Sequence, residues 1–361
     1  MSKTPHIVIA GAGLLGRLLS WQLSQHKVRI TLIDQDHPDG HACAARIAAA
    51  MLAPFSELVS SDLSVFEKGL QSLKIWPQWL EQLAKATNKP IDFQHRGSLV
   101  VAHPQDQNLL TQFSQQLAYK LASERNNSQW LNQQQLESLE PELNAFQQGI
   151  YLPDEGCIDN WGLLDALASI LKQPNIQWLQ RTVINVASHS VETSKERITC
   201  DLAIDCRGFG GKPQWPELRG VRGEILWVEA PEVHLTRPVR LMHPRYQLYI
   251  APKPEHRYVI GATQIESESS APITVRSSME LQSALYSVQP AFAEANILHG
   301  FAGCRPAFMD NLPKIHTEPG LLRVNGLYRH GYLLGPSLVQ QSLQKIATMG
   351  LIDKQDVQTT A

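Results

Sequence analysis

The segment Gly11-Ala12-Gly13-Leu14-Leu15-Gly16 constrains this chain more than any other feature. Directly before it, His6 to Ala10 (HIVIA) reads as a short buried strand. Directly after it, residues 14 to 25 place Leu15, Leu18, Leu19 and Leu23 at helical spacing. Val28 to Ile33 reads as a second strand, and Asp34 ends it. Strand, glycine turn, helix and strand in that order make a β-α-β unit for a dinucleotide. Gly11 allows the tight turn, Gly13 lets a pyrophosphate approach the backbone, and Gly16 lets the helix pack close to the sheet. The helix N-terminus then presents free N–H groups and a positive partial charge to the phosphates. A carboxylate at Asp34 can accept hydrogen bonds from both ribose hydroxyls, which argues against a 2′-phosphate and so against NADP. The turn alone does not separate FAD from NAD.

Bulk properties narrow the partners. The net charge is −2 and no basic stripe occurs, so nucleic acid is not an expected partner. No apolar run reaches transmembrane length, and the opening MSKTPHIVIAGAG is too briefly apolar for a signal peptide. The five cysteines (Cys43, Cys157, Cys200, Cys206, Cys304) are scattered and contain no Cys-x-x-Cys pair. That pattern predicts a reducing compartment, without a disulfide framework or a metal site. A cytoplasmic location is expected; no oligomeric state is indicated.

Residues 42 to 55 (ACAARIAAAMLAPF) are dominated by small side chains. They read as an alanine-rich core helix stopped by Pro54, or as a helix trimmed so that its backbone can lie against a flat ring. Residues 63 to 86 and 107 to 124 read as helices, with Pro77 kinking or breaking the first. Arg96 to Ala102 reads as a strand. Asp154 and Glu155, between Pro153 and Gly156, read as turn residues rather than catalytic carboxylates. Short alternating strands fill residues 176 to 211 and end in DLAIDCRGFGG. Alternation at Gly223–Trp227, Tyr249–Pro252 and Tyr258–Gln264 predicts antiparallel sheet. Near the C-terminus, Arg305 and Arg329 stand in two glycine-bearing loops. A planar guanidinium can hold a substrate carboxylate by two parallel hydrogen bonds.

The GAGLLG turn, the AAAMLAP run, the Tyr-Ile-x-Pro and Gly-Ala-Thr pieces and the two arginine loops together resemble the D-amino-acid oxidase superfamily of flavoproteins. Within it the chain looks most like the glycine oxidase branch associated with thiamine synthesis, from residue 6 to about residue 345. The resemblance implies FAD. It implies an α/β fold, with a Rossmann-like FAD-binding domain (1–85, 145–220, 296–361) interleaved with an antiparallel-sheet substrate domain (86–144, 221–295). The implied cofactor contacts are Gly11, Gly13, Leu14, Leu15, Gly16, Asp34 and Gln35 in the opening unit. Ala44, Ala45, Ala49, Ala50 and Met51 follow beside the ring, with Val183 against the adenine and Gly208 in the closing stretch. Leu327, Tyr328, Arg329, His330, Gly331, Tyr332 and Leu333 would lie along the flavin and lead into a helix whose dipole faces it. For the substrate, Arg305 is the first carboxylate ligand and Arg329 the second. Tyr249 would offer its hydroxyl, Gln264 would shape the pocket, and Met51 would pack near the ring.

The implied reaction is oxidation of the C–N bond of a small amine or amino acid by hydride transfer to flavin N5, with O2 as acceptor giving H2O2. A dehydrogenase with another acceptor, or a flavoprotein acting on a protein or RNA, are the alternatives. The chain departs from the family pattern in several places. Ala50 replaces a glycine, and Ala44, Ala45 and Arg46 replace hydroxyl residues. Cys206-Arg207-Gly208-Phe209 replaces a small-residue pattern. Gln264 replaces an apolar residue and suggests a more polar substrate. Some sarcosine oxidase-like relatives attach FAD through a cysteine in the general region of Cys304.

Overall fold

The computed structural model describes residues 4–40, 43–121, 125–245 and 247–354. Its first sheet grows from the opening unit. β1 (His6–Ala10) is buried at every position, and α1 (Leu14–Leu23) leads to β2 (Arg29–Asp34). β9 (Ile176–Gln180), β13 (Leu202–Asp205), β20 (Lys314–Glu318) and β21 (Leu321–Asn325) complete the order β20-β21-β13-β1-β2-β9. Every pair is parallel except β20 with β21. A parallel strand covered on both faces has no reason to alternate, hence HIVIA. Strand order reverses between β1 and β13, and an open α/β sheet receives its ligand in the crevice beyond such a point. Gly11 sits there with φ of 97°, and a Cβ on it would lie 2.7 Å from the Arg207 Cα.

One face of this sheet is covered by α1, α4 (Leu63–Thr87), α7 (Asn160–Ile170) and α9 (Gly331–Thr348), which share one apolar core. Pro77 does not break α4. Its lost backbone hydrogen bond is outweighed by the burial of Trp76, Trp79 and Leu80, each contributing roughly 1.5–3 kcal/mol. Trp76 donates its Nε1–H to the Tyr332 carbonyl at 3.0 Å and so ties α4 to the first turn of α9. The opposite face packs on a small antiparallel sheet of β10 (Val183–Ala187), β11 (Ser190–Thr193) and β12 (Arg197–Thr199).

The second large sheet holds β5 (Ser98–Ala102), β6 (Gln129–Asn132), β7 (Gln148–Leu152), β14 (Arg219–Glu229) and β15 (Val239–Met242). It continues through β16 (Gln247–Lys253), β17 (Arg257–Gly261), β18 (Ile265–Glu266) and β19 (Asn296–Ala307). Its order is β18-β14-β17-β16-β15-β5-β7-β6, with β19 along β14. Only β15 and β5 pair in parallel. α5 (Gln107–Lys120), α6 (Gln133–Leu139) and α8 (Val275–Val288) pack on it. Residues 122–124 of the helix expected over 107–124 lie outside the described residues. The sequence reading gave 296–307 to the FAD lobe. Here β19 pairs with β14 along almost its whole length, so that stretch belongs to the substrate sheet.

The 42–55 run is not one helix. Ala42 lies outside the described residues, and α2 (Ala44–Ile47) is a single turn. Ala50 has φ of 51°, and β3 (Met51–Leu52) pairs with β8 (Gly156–Ile158), which in turn pairs with β4 (Phe93–Gln94). Pro54 opens α3 (Pro54–Leu58) at a position where its missing N–H costs nothing, rather than closing a helix. The buried Lys253 ammonium donates to the Ala49 (2.7 Å) and Ile158 (2.6 Å) carbonyls and holds the run extended.

Glu155 is not a solvent-facing turn residue. It is fully buried and accepts from Ser56 N–H (2.6 Å), Ser56 Oγ (2.7 Å) and Ser98 Oγ (2.5 Å). It therefore caps α3, which has no cap of its own. Burial pushes its pKa up, and the serine hydrogen bonds oppose that shift.

Candidate active site

The two large sheets enclose a cavity of about 1040 Å3. That is slightly above the roughly 300–1,000 Å3 typical of ligand pockets. Its wall on the first side begins at the glycine turn. Gly11, Gly13, Leu14, Leu15, Asp34 and Gln35 all line it, as do Ala44, Ala45, Ala49, Ala50, Met51 and Gly208. The loop Leu327, Tyr328, Arg329 and His330 closes the same wall, continued by Gly331, Tyr332 and Leu333 at the start of α9. Gly16 points away from the cavity, where a Cβ would meet the Gly11 carbonyl oxygen at 1.9 Å. Val183 does not reach the cavity wall. It lies on β10, half-buried against the cluster of Val8, Ala10 and Ile33.

The facing wall follows from strand periodicity. Tyr249 on β16 is in register with Arg240 on β15 and with Gly261 on β17, and Gly261 with Ile225 on β14. Cross-strand partners share a face, and so do residues two apart on a strand. That places Arg240, Tyr249, Ile225, Gly223, Gly303 and Arg305 on one face, and each of them lines the cavity. Arg305 lies over Gly223: a Cβ there would stand 2.2 Å from the Arg305 Nη2. Its one hydrogen bond among the described residues is from Nη1 to the Thr263 carbonyl (3.2 Å), and it has no carboxylate partner. Burial presses its pKa downward, partly offset by Tyr249 and Tyr328 nearby. Burial also raises the Tyr249 phenol, against the pull of Arg305. Gly223→Ala is expected to displace the guanidinium and raise KM about tenfold with little loss of FAD affinity, since overpacking costs roughly 1–3 kcal/mol. Steady-state kinetics and flavin titration of the variant check this.

Arg329 is differently placed from the second carboxylate ligand that the sequence suggests. Its Nε donates to Glu57 Oε2 (2.6 Å), Nη2 to Ser60 Oγ (2.6 Å) and Nη1 to Gln264 Oε1 (3.2 Å). Glu57 Oε2 also accepts from His330 Nε2 (2.9 Å), and Oε1 accepts from Arg240 (2.8 Å). Burial alone would raise the Glu57 carboxyl, but Arg329, His330 and Arg240 hold it well below the usual range. Glu57 and Arg240 escaped the sequence reading. A lone acid in the short, largely apolar segment 52–59 carries no motif, and Arg240 lies 183 residues away in sequence, so only the fold brings the pair together.

The other departures resolve as structural contacts. Arg207 is paired with Asp205 (2.7 Å) and with Gln214. Arg46 pairs with Asp165 (2.7 Å) and lies 4.8 Å from the Trp161 ring centroid. Asp34 accepts from the Ala12 N–H (2.6 Å) and the Asp36 N–H (2.9 Å) at the cavity edge.

Residues 6–338 match the model of the FAD dependent oxidoreductase family, DAO. The chain belongs to that family. It is 37% identical over 343 residues to the Rhizobium etli protein assigned as thiamine biosynthesis oxidoreductase ThiO, covering 95% of this chain and 96% of that one. It is 24% identical to the glycine oxidase of Geobacillus kaustophilus, over 93% of this chain and 91% of that one. The solved structure of glycine oxidase from Geobacillus kaustophilus overlays with a TM-score of 0.83 at 23% identity, covering 97% and 99% of the two chains. An iminodiacetate oxidase from Chelativorans sp. BNC1 gives 0.80 at 21% identity, covering 95% of each. The α/β architecture is thus that of glycine oxidase, and the cofactor of this FAD-dependent enzyme is FAD.

The cavity fits that cofactor. A Cβ added to Gly13 or to Gly331 meets no protein atom within 4 Å, so both backbones are bare towards open space at helix N-termini. Such termini favour phosphate and other anionic groups. His330 Nδ1 is buried on the wall without a protein partner. Gly13→Ala is therefore expected to fold normally while losing FAD affinity at least tenfold. Flavin titration beside a melting curve of the apoprotein measures both effects.

Proposed function

We propose that this chain oxidises the C–N bond of a small amino acid, with O2 as electron acceptor and H2O2 as product. The observation that carries the reading is Arg305. It is a half-buried guanidinium without an acidic partner among the described residues, seated over Gly223 and lining the same cavity as Gly13 and Gly331. A substrate carboxylate supplies the missing counter-charge in a bidentate pair. FAD, when bound, supplies the two-electron acceptor. Arg305 fixes the substrate from one end, the Tyr249 hydroxyl borders the same space, and Met51 and Ile225 give it apolar walls. Holding the substrate in one orientation is the main contribution of the chain to rate. Arg329 acts through Glu57, Ser60 and Gln264, keeping the loop before α9 in place. Glu57 already accepts from three cationic or N–H donors, so no side chain is assigned as an obligatory base. The relatives named thiamine biosynthesis oxidoreductase and glycine oxidase support glycine-sized substrates.

Incubation in air with glycine, sarcosine and small D-amino acids tests this reading. H2O2 formed together with the 2-oxo acid is the expected result. Flavin reduction without O2 uptake would transfer the assignment to a dehydrogenase.

FAD is proposed to be held noncovalently. The Cys304 thiol points at the Ser267 and Ser269 carbonyls (3.6 and 3.4 Å), and burial raises its pKa away from the reactive thiolate. Acid precipitation should release all the flavin. A cytoplasmic location is consistent with five free thiols, and no described helix is long and apolar enough to cross a membrane.

A further inference from the structure

The first turn of α1 carries a charge that a dinucleotide-binding helix does not need for its fold. Arg17 is 4% exposed, yet it lines the cavity beside the glycine turn. Its Nε donates to the Ala12 carbonyl (2.9 Å), Nη2 to the Pro38 carbonyl (2.7 Å) and Nη1 to the Leu164 carbonyl (3.5 Å). No carboxylate pairs with it among the described residues. Its guanidinium also sits 5.3 Å from the Trp178 ring centroid. The carbonyls take up three of its five N–H donors and carry no net charge, while Asp34 and Asp36 offset its positive charge only from a distance, and a buried charge without a direct partner is costly. Burial accordingly presses the pKa of Arg17 down.

The rest of this end of the cavity is poor in donors for an anion. Cys43, Ala44 and Ala45 offer backbone but no hydroxyl or charged side chain, and Asp34 and Asp36 add negative charge. The bare backbone of Gly13 opens on the same space.

We infer that Arg17 is a further cofactor-binding residue, supplying the fixed positive charge that holds the FAD diphosphate at this end of the cavity. It acts mainly by charge from behind the glycine turn, since each of its three nitrogens already donates one hydrogen bond to a carbonyl. Its effect adds to that of the α1 N-terminus.

The test compares FAD with riboflavin, which lacks the phosphates, on apoprotein, with affinity read from quenching of flavin fluorescence. Arg17→Gln removes the charge but keeps an amide donor for the carbonyls. Arg17→Lys keeps the charge and loses the fork. Arg17→Gln should weaken FAD about tenfold to a hundredfold, the scale of one charge pair at a partly screened distance. Its riboflavin affinity should stay within twofold of the parent. Arg17→Lys should bind FAD within about threefold of the parent. Equal weakening by both variants, equal weakening of FAD and riboflavin, or unchanged FAD affinity in Arg17→Gln would each overturn the proposal. So would an Arg17→Gln chain that fails to fold while Arg17→Lys folds, because that assigns the residue to the fold.

Discussion

Arg305→Met should lower kcat/KM for the best small amino acid by about 10²–10³-fold, while FAD affinity stays within twofold. Truncating one partner of a buried, hydrogen-bonded charge pair costs roughly 2–5 kcal/mol, and each 1.36 kcal/mol is a factor of ten in rate. The loss should fall on KM and kcat together. The carboxylate contact both binds the substrate and sets its orientation. An amine of the same size without a carboxylate gives the control. It should be a poor substrate of the parent enzyme and no poorer for the variant. A similar loss with both substrates would mean that Arg305 maintains the sheet wall rather than gripping the substrate. The β14–β19 pairing, with Val221 in register with Arg305, makes the wall itself robust to a methionine there.

Glu57→Gln should be the most destabilising single change in the site, by about 3–5 kcal/mol. The carboxylate is the shared partner of Arg240, Arg329 and His330. An amide leaves the buried Arg240 and the half-buried Arg329 guanidiniums without their shared counter-charge. The acid limb of stability follows from the same contact. The Glu57 carboxyl is held well below the ordinary glutamate range in the fold and returns to that range when unfolded. Its stabilisation is therefore complete above the unfolded value and is lost as pH falls through the folded one. Urea titrations at neutral pH and at pH about 4 and 3 should show the parent losing stability towards acid. The variant should start lower and fall less. Equal acid slopes in the two proteins would contradict the assignment of Glu57 as the ionised hub.

The opening unit was fully legible in the sequence because it is local. Strand, glycine turn, helix and acid follow one another within one unbroken stretch, and each glycine has a steric reason that the structure shows at Gly11 and Gly16. The two arginine segments were legible as motifs, yet their division of labour was not, nor that Arg305 lies on the strand β19 rather than in a loop. Whether a guanidinium is free or engaged depends on what folds against it. Glu57 reaches Arg329 across 272 residues of sequence, and Arg240 reaches Glu57 across 183. Glu155 looked like a turn residue because proline and glycine flank it. Only the arrival of Ser56 and Ser98 turns it into a buried cap. The alanine run misled in a different way. Helix propensity favoured one helix, but Ala50 adopts a left-handed conformation and pairing of β3 with β8 pulls the run straight. Tertiary contacts overrode a weak local preference, as they commonly do.

Anaerobic mixing of the purified yellow protein with a panel of glycine, sarcosine, small D-amino acids and larger amines tests the central claim most directly. The site described here predicts bleaching of the oxidised flavin by at least one small amino acid, loss of that response in Arg305→Met, and return of the colour with O2 uptake on re-aeration. A flavin that no small amine or amino acid bleaches would contradict it.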